Sequence, residues 1–178
     1  MYSIHTYEMN TTSQKEQNDT VLSNVRTLCV QRRIKRELDK MYPLYNEILV
    51  SVTPESKLQV TVRNADAGGF SQKYDFIICE NYPFNSPQIF YQGRKYWEFL
   101  RSNHENIKLM KQITGSDCLC CSSFHCKDNW GPGVTLIHII DEICRIKQLK
   151  RNVINKLLAD KIKARFLVAD IDLDSWLF

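Results

Sequence analysis

The chain has 178 residues, 43% of them hydrophobic and 25% charged, a balance that fits one globular domain with a core large enough to fold alone. Its formal charge of +4 comes from 24 Lys and Arg against 20 Asp and Glu, and an excess this small, gathered in helical stretches, does not argue for nucleic acid. No apolar run is long enough for a membrane span, the opening MYSIHTYEMNTTSQKEQNDT lacks the parts of an export signal, and an odd count of seven cysteines favours reduced thiols over a disulfide framework.

The expectation is therefore a cytoplasmic protein, with the nucleus also open to it. Residues 1–18 are polar and without period, which predicts a flexible leader. A capping signal at Asp19 or Thr20 opens a helical pattern, with Val21, Val25, Leu28, Cys29, Ile34, Leu38 and Met41 at three- and four-residue steps. Pro43 ends it at Tyr42, because proline disfavours helical geometry in the residue before it. Alternation and β-branched residues then predict strands at 47–52, 57–63, 74–79 and 88–91, joined by PES, NADAGG and ENYPFNSP. Four short strands in a row make an antiparallel meander, with Gly68 and Gly69 able to supply a turn of positive φ.

From Gly93 to Trp130 the period is lost and most of the cysteines appear, the mark of a long surface excursion, and such loops are usually functional. An amphipathic helix is expected from about Thr135 to Ile146, with Leu136, Ile139, Ile140 and Ile143 on one face. A further helical pattern over 149–168 carries Val153, Leu157, Ile162 and Phe166, and an acidic tail, 169–178, follows. The class is α+β: an N-terminal helix, a four-stranded antiparallel meander, an active loop and C-terminal helices, with residues 19–168 as the domain. Ile34, Leu38, Val50, Val60, Val62, Phe76 and Ile78 are the expected core.

Over roughly 32–146 the motifs resemble those of the ubiquitin-conjugating enzymes. RRIKRELDKM is similar to that family's first helix, and GGFSQKYDFIICENYPFNSPQIFY to its glycine pair, third strand and YPFxxP turn. HENI stands where the family has HPNI, GSDCL where it has a glycine shortly before CL, and NWGPGVTL where it has WSPALT. Glu105 replaces the family's proline, and the stretches on either side of Cys118 are each longer than usual by about four residues. The resemblance implies a carrier that accepts ubiquitin, or a ubiquitin-like modifier, from an activating enzyme as a cysteine thioester. It then passes the modifier to a substrate lysine with a ubiquitin ligase, and no cofactor, metal, nucleic acid or membrane is implied.

The thioester chemistry needs an accessible thiol that can become thiolate. Cys118, in GSDCL, is the nucleophile the resemblance indicates, with Cys120 and Cys121 as alternatives in a neighbouring register. Asn106, the third position of the family's HPN, would donate to the oxyanion that forms when lysine attacks; such donors lower barriers by about 2.7–4 kcal/mol. The resemblance makes His104 a structural brace, while Asp117 and Asp128 could position the amine or be solvated charges. Trp130 and Pro132 are expected to dock the loop on the next helix. Phe84 and residues 32–40 are expected to face the ligase and the activating enzyme. Cys29, Cys79 and Cys144 take the ordinary reading of a buried apolar residue.

Two rival readings remain. The same fold also serves as a binding module without catalysis, but such variants lack the cysteine at the CL position. The run CLCCSSFHC, with His104 and His138, could instead hold a structural zinc, although its cysteine spacings of one, zero and four are unlike the paired knuckles of zinc sites. A reactive thiol cluster forming a reversible disulfide is the third use of these residues. A reactive loop predicts less than one zinc per chain by elemental analysis and a melting midpoint indifferent to chelator, because structural zinc supplies folding free energy of about 10 kcal/mol or more.

Overall fold

The computed structural model describes residues 4–25, 27–65, 69, 71–101, 111–113, 115 and 119–168. Helices α1 (Ile4–Ser23) and α2 (Leu28–Met41) precede strands β1 (Glu47–Val52), β2 (Leu58–Ala65), β3 (Ser71–Ile78), β4 (Gln88–Tyr91) and β5 (Arg94–Lys95). A short helix α3 (Tyr96–Leu100) follows directly, and the long helix α4 (Leu136–Val168) comes after the cysteine-rich loop. Among the described residues no helix is long and apolar enough to cross a membrane.

The strands form one antiparallel sheet in the order β1-β2-β3-β4-β5. Its register lines up Val50, Val60, Phe76 and Ile89 across four strands. Because side chains alternate between the two faces of a sheet, that row and its neighbours Ile48, Val62, Tyr74, Leu58 and Ile78 present one apolar face. All are buried, together with Ile34, Leu38 and Met41 of α2 and Leu136, Ile139, Ile140 and Ile143 of α4. The seven core residues expected from the sequence are all in this cluster.

The expected meander of four strands has a fifth. Gln92 (φ 52°) and Gly93 (φ 74°) both take the left-handed conformation, which makes a two-residue turn whose twist suits a hairpin. Tyr91 and Arg94 close that hairpin. β1 and β4 have the bounds expected, while β2 and β3 run further toward their connecting turn.

The helices differ more from expectation. Helix α1 begins at Ile4, inside the stretch expected to be a flexible leader. Asp19 and Thr20 do not start a helix but lie inside α1, where Asp19 pairs with Lys35 of α2 at 3.0 Å. The chain breaks after Ser23, where polar side chains turn back onto the last carbonyls: Ser23 Oγ donates to Thr20 O at 2.7 Å and Asn24 Nδ2 to the same oxygen at 3.2 Å. Such local bonds compete with helix continuation. At the other end the two expected helices are one, since no glycine or proline interrupts 136–168.

Helix α1 has a specific task at the edge of the sheet. β1 has a partner on one side only, so its outer N–H and C=O groups need other partners. Asn18 supplies them: its Oδ1 accepts from Val50 N and its Nδ2 donates to Ile48 O, both at 2.8 Å, and to Tyr42 Oη at 3.0 Å. The side-chain amide thus bonds as a strand residue would, in a buried position. Asn18→Ala leaves Val50 N–H and Ile48 C=O unpaired, and a loss of about 1–3 kcal/mol is expected. Urea unfolding would show it as a lower midpoint with an unchanged slope.

Candidate functional site

Two regions come together around the N-terminus of α4. The first is a junction made by Glu37. This carboxylate, 3% exposed, lies where α2, the turn after β3 and the start of α4 meet. Its Oε1 accepts from Arg33 Nε and from Tyr82 Oη, each at 2.5 Å, and its Oε2 accepts from Leu136 N at 2.8 Å. Arg33 also donates through a second nitrogen to Val134 O at 2.9 Å. The Tyr82 phenol is held protonated far above its usual range, first by burial and then by the Glu37 charge beside it.

The YPF turn stands next to this junction, with a cis bond between Tyr82 and Pro83. Trp130 Nε1 donates to Pro83 O at 2.9 Å, and the Trp130 and Tyr82 rings lie 6.2 Å apart. Trp130 is packed against the core and bonded to the turn. Phe84, at the tip, is 69% exposed. With Pro83 it borders a groove whose other wall is Leu28, Cys29, Arg32, Arg33 and Arg36 of α2. An apolar knob beside an arginine row suits a partner with an apolar contact and acidic flanks.

The second region is the loop 119–130. Leu119 is buried, Cys120 and Cys121 are exposed, and Ser123 is fully buried. Successive turns are closed by Ser123 N to Cys120 O, Cys126 N to Ser123 O and Trp130 N to Cys126 O, at 3.2, 3.0 and 3.1 Å. Asn129 Nδ2 ties the coil together by donating to Cys121 O and Ser123 O. Beneath it sits Glu142 of α4, 5% exposed. Glu142 Oε1 accepts from Ser123 Oγ at 2.5 Å and also from Tyr96 Oη, and Oε2 accepts from Phe124 N at 2.8 Å.

The start of α4 is capped reciprocally by Thr135 and His138. Thr135 Oγ1 accepts from His138 N at 3.4 Å, and His138 Nδ1 accepts from Thr135 N at 3.3 Å. This is a capping box with histidine in the place usual for glutamate. The same helix reaches the other end of the long excursion: Lys150 Nζ donates to Phe99 O and, at 3.2 Å, to Arg101 O, at the end of α3. Burial holds the Lys150 ammonium below its ordinary pKa.

Of the residues singled out in the sequence, Cys118, Asn106, His104 and Asp117 lie outside the described residues. Asp128 is exposed, with Oδ2 4.0 Å from Cys126 Sγ. Of the alternative nucleophiles, Cys121 is free, but Cys120 is disulfide-bonded, so the expectation of reduced thiols throughout does not hold. Cys29 and Cys144 are exposed rather than buried, and Cys79 is intermediate. Among the described residues no group of three or more His, Cys, Asp or Glu side chains is placed to hold a metal. His138 Nδ1 is used by its cap. Glu37, Glu142 and Lys150 were missed, because on helical faces their spacing resembles that of solvated charges.

His125 is buried at Nδ1 without a hydrogen-bond partner, its ring edge-on to Tyr96 at 6.0 Å. Burial lowers its pKa from the ordinary 6.5, and the Glu142 carboxylate opposes that shift only in part. The unfolded chain therefore binds a proton that the folded one resists, so His125 contributes stability above pH 6.5 that is lost as the pH falls toward the lowered value. His125→Gln is expected to flatten the fall in melting temperature between about pH 7 and pH 5 relative to the parent. Calorimetry across that range checks it, and equal slopes would contradict it.

No family model, curated protein or solved structure matches the chain, so the site stands on its own geometry and on the sequence motifs.

Proposed function

We propose that the chain is a ubiquitin-conjugating enzyme. Once the disulfide at Cys120 is reduced and the thiols of this loop are free, it would take the acyl end of ubiquitin, or of a ubiquitin-like protein, from an activating enzyme onto Cys118 as a thioester. A substrate lysine amine then attacks the thioester carbonyl, the tetrahedral oxyanion collapses, and the Cys118 thiolate leaves as the isopeptide bond forms. Asn106 is the donor to that oxyanion.

The observation that carries the reading is the groove between α2 and the YPF turn. The family resemblance assigns partner binding to the first helix, the turn tip and the loop before the tryptophan. These are far apart in sequence, yet Arg32, Arg36 and Phe84 line one groove, and Trp130 is bonded to Pro83, another of its lining residues. The α+β order of helix, antiparallel meander, cysteine-bearing loop and helix also supports it. The ligase and the activating enzyme would dock there, with acidic groups facing the arginines. The cytoplasm, with the nucleus also open, is the compartment where these partners act, and neither nucleic acid nor membrane is needed.

Incubation of protein that has first been reduced and freed of reductant with activating enzyme, ATP and ubiquitin, followed by a non-reducing gel, is expected to give a thiol-sensitive band heavier by one modifier. Cys118→Ala should abolish that band, and Cys121→Ala should keep most of it. Asn106→Ala should charge normally but discharge to free lysine at least ~tenfold more slowly, because the oxyanion exists only in that step. A parent protein that never charges would leave the binding module without catalysis as the reading to keep.

A further inference from the structure

Helix α4 has 33 residues and is about 50 Å long, and the fold uses only its first part. Ile146, Leu149, Val153 and Leu157, at three- and four-residue steps, pack it against the core. From residue 158 to residue 165 every side chain is exposed. Large aliphatic residues continue all the same: Ile154, Leu158 and Ile162 stand four apart, and all three are exposed. They form a second stripe, about 135° round the helix axis from the one that packs. A helix end that buries nothing draws no stability from tertiary contacts, so these side chains serve nothing inside the described domain. An apolar stripe of this kind marks a contact surface.

The charges around the stripe select what covers it. Between residues 147 and 165 the helix carries seven Lys and Arg against one acid, Asp160. At 3.6 residues per turn, Ile154, Leu158 and Ile162 span an arc of about 80°, with Arg151 and Arg165 inside that arc at its two ends and Lys161 about 20° outside it. A second copy of the chain fits badly. An antiparallel pair centred on Leu158 sets Arg151 against Arg165, and a parallel pair sets each cation against itself, so like charges meet in either case. A membrane surface fits little better, because helices that lie on bilayers keep their cations on the face opposite the apolar one and insert Trp, Phe or Leu without charges in line. A protein partner can place a carboxylate beside each cation and an aliphatic side chain beside each of the three. Another helix matches the stripe best, since its own side chains recur at the same three- and four-residue steps.

We propose that the outer face of α4, from Arg151 to Arg165, is a docking site for an acidic amphipathic helix of a partner protein. The partner's aliphatic residues lie on Ile154, Leu158 and Ile162, and its carboxylates face Arg151, Lys161 and Arg165. None of these residues lines the groove between α2 and the YPF turn, and the site does not depend on the thioester chemistry.

The test uses the full chain and a fluorescein-labelled synthetic helical peptide with Leu at every fourth position and Glu on both flanks, read by anisotropy. The parent is expected to bind it saturably in the micromolar range, more weakly as salt is raised. Leu158→Ser and Arg165→Glu, both at exposed positions, should each bind at least ~tenfold more weakly, with melting midpoints equal to the parent's. Arg36→Glu, in the α2 groove, should bind as the parent does. A parent that does not bind, or that binds a scrambled peptide of the same composition equally well, overturns the proposal, as does equal binding by Leu158→Ser. Three further results overturn it by naming another occupant. Sedimentation of the parent but not Leu158→Ser with phosphatidylcholine and phosphatidylserine vesicles would make the face a membrane contact. A dimer lost in Leu158→Ser by analytical ultracentrifugation would make it an interface between copies. Peptide binding that appears only when Asp170, Asp172 and Asp174 are changed to Asn would assign the face to the chain's own acidic residues.

Discussion

The carboxylate of Glu37 is the constraint around which the domain closes. It is buried and charged, so it must be compensated, and its compensation comes from three segments that the sequence separates widely: Arg33 on its own helix, Tyr82 in the turn after β3 and the first free amide of α4. A carboxylate at a helix N-terminus also meets the positive end of the helix dipole. Remove Arg33 and an uncompensated charge is left inside the protein, which is costly by about 3–5 kcal/mol. The sheet and α2 could form without this junction. The path of the loop between the turn and α4 could not be set without it, because Trp130 and Val134 are both bonded into its surroundings.

The two buried glutamates divide the work of joining α4 to the rest. Glu37 fixes where the helix begins, and Glu142, beyond the first turn, fixes what lies on top of it. Each accepts from a tyrosine phenol and from one backbone amide. Burial and the neighbouring carboxylate raise both phenols well above their usual pKa, so they remain donors across the range in which proteins are folded. The loop region is therefore organised by hydrogen-bond direction, while the sheet side is organised by apolar area.

That division decides how much could be read from the sequence. The strands carry a period of two and the core helices a period of three to four, so β1, β4 and the apolar faces of α2 and α4 were legible in Ile48, Val50, Ile34 and Ile139. The hairpin to β5 was not, because Gln92-Gly93 is a weaker turn signal than Asn-Gly and the returning strand has two residues. α1 was not, because a polar helix that serves through Asn18 shows no apolar stripe. The break at Asn24 depends on side chains folding back onto carbonyls, a choice that composition alone does not reveal. In the site, aromatic and cysteine motifs were visible, but the anchors Glu37, Glu142 and Lys150 were not. Partners at Tyr82, Ser123 and Arg101 are set by the tertiary fold, and no local pattern encodes them.

Asn18 has a consequence for the life of the chain before it is folded. The sheet's other edge is the two-residue β5, too short to recruit a foreign strand, which leaves β1 as the one edge long enough to template aggregation among the described residues. Its guard is encoded upstream, in α1. A chain synthesised from its N-terminus thus has the cap in hand before Ile48 and Val50 emerge, and the exposed edge never has to wait for its cover.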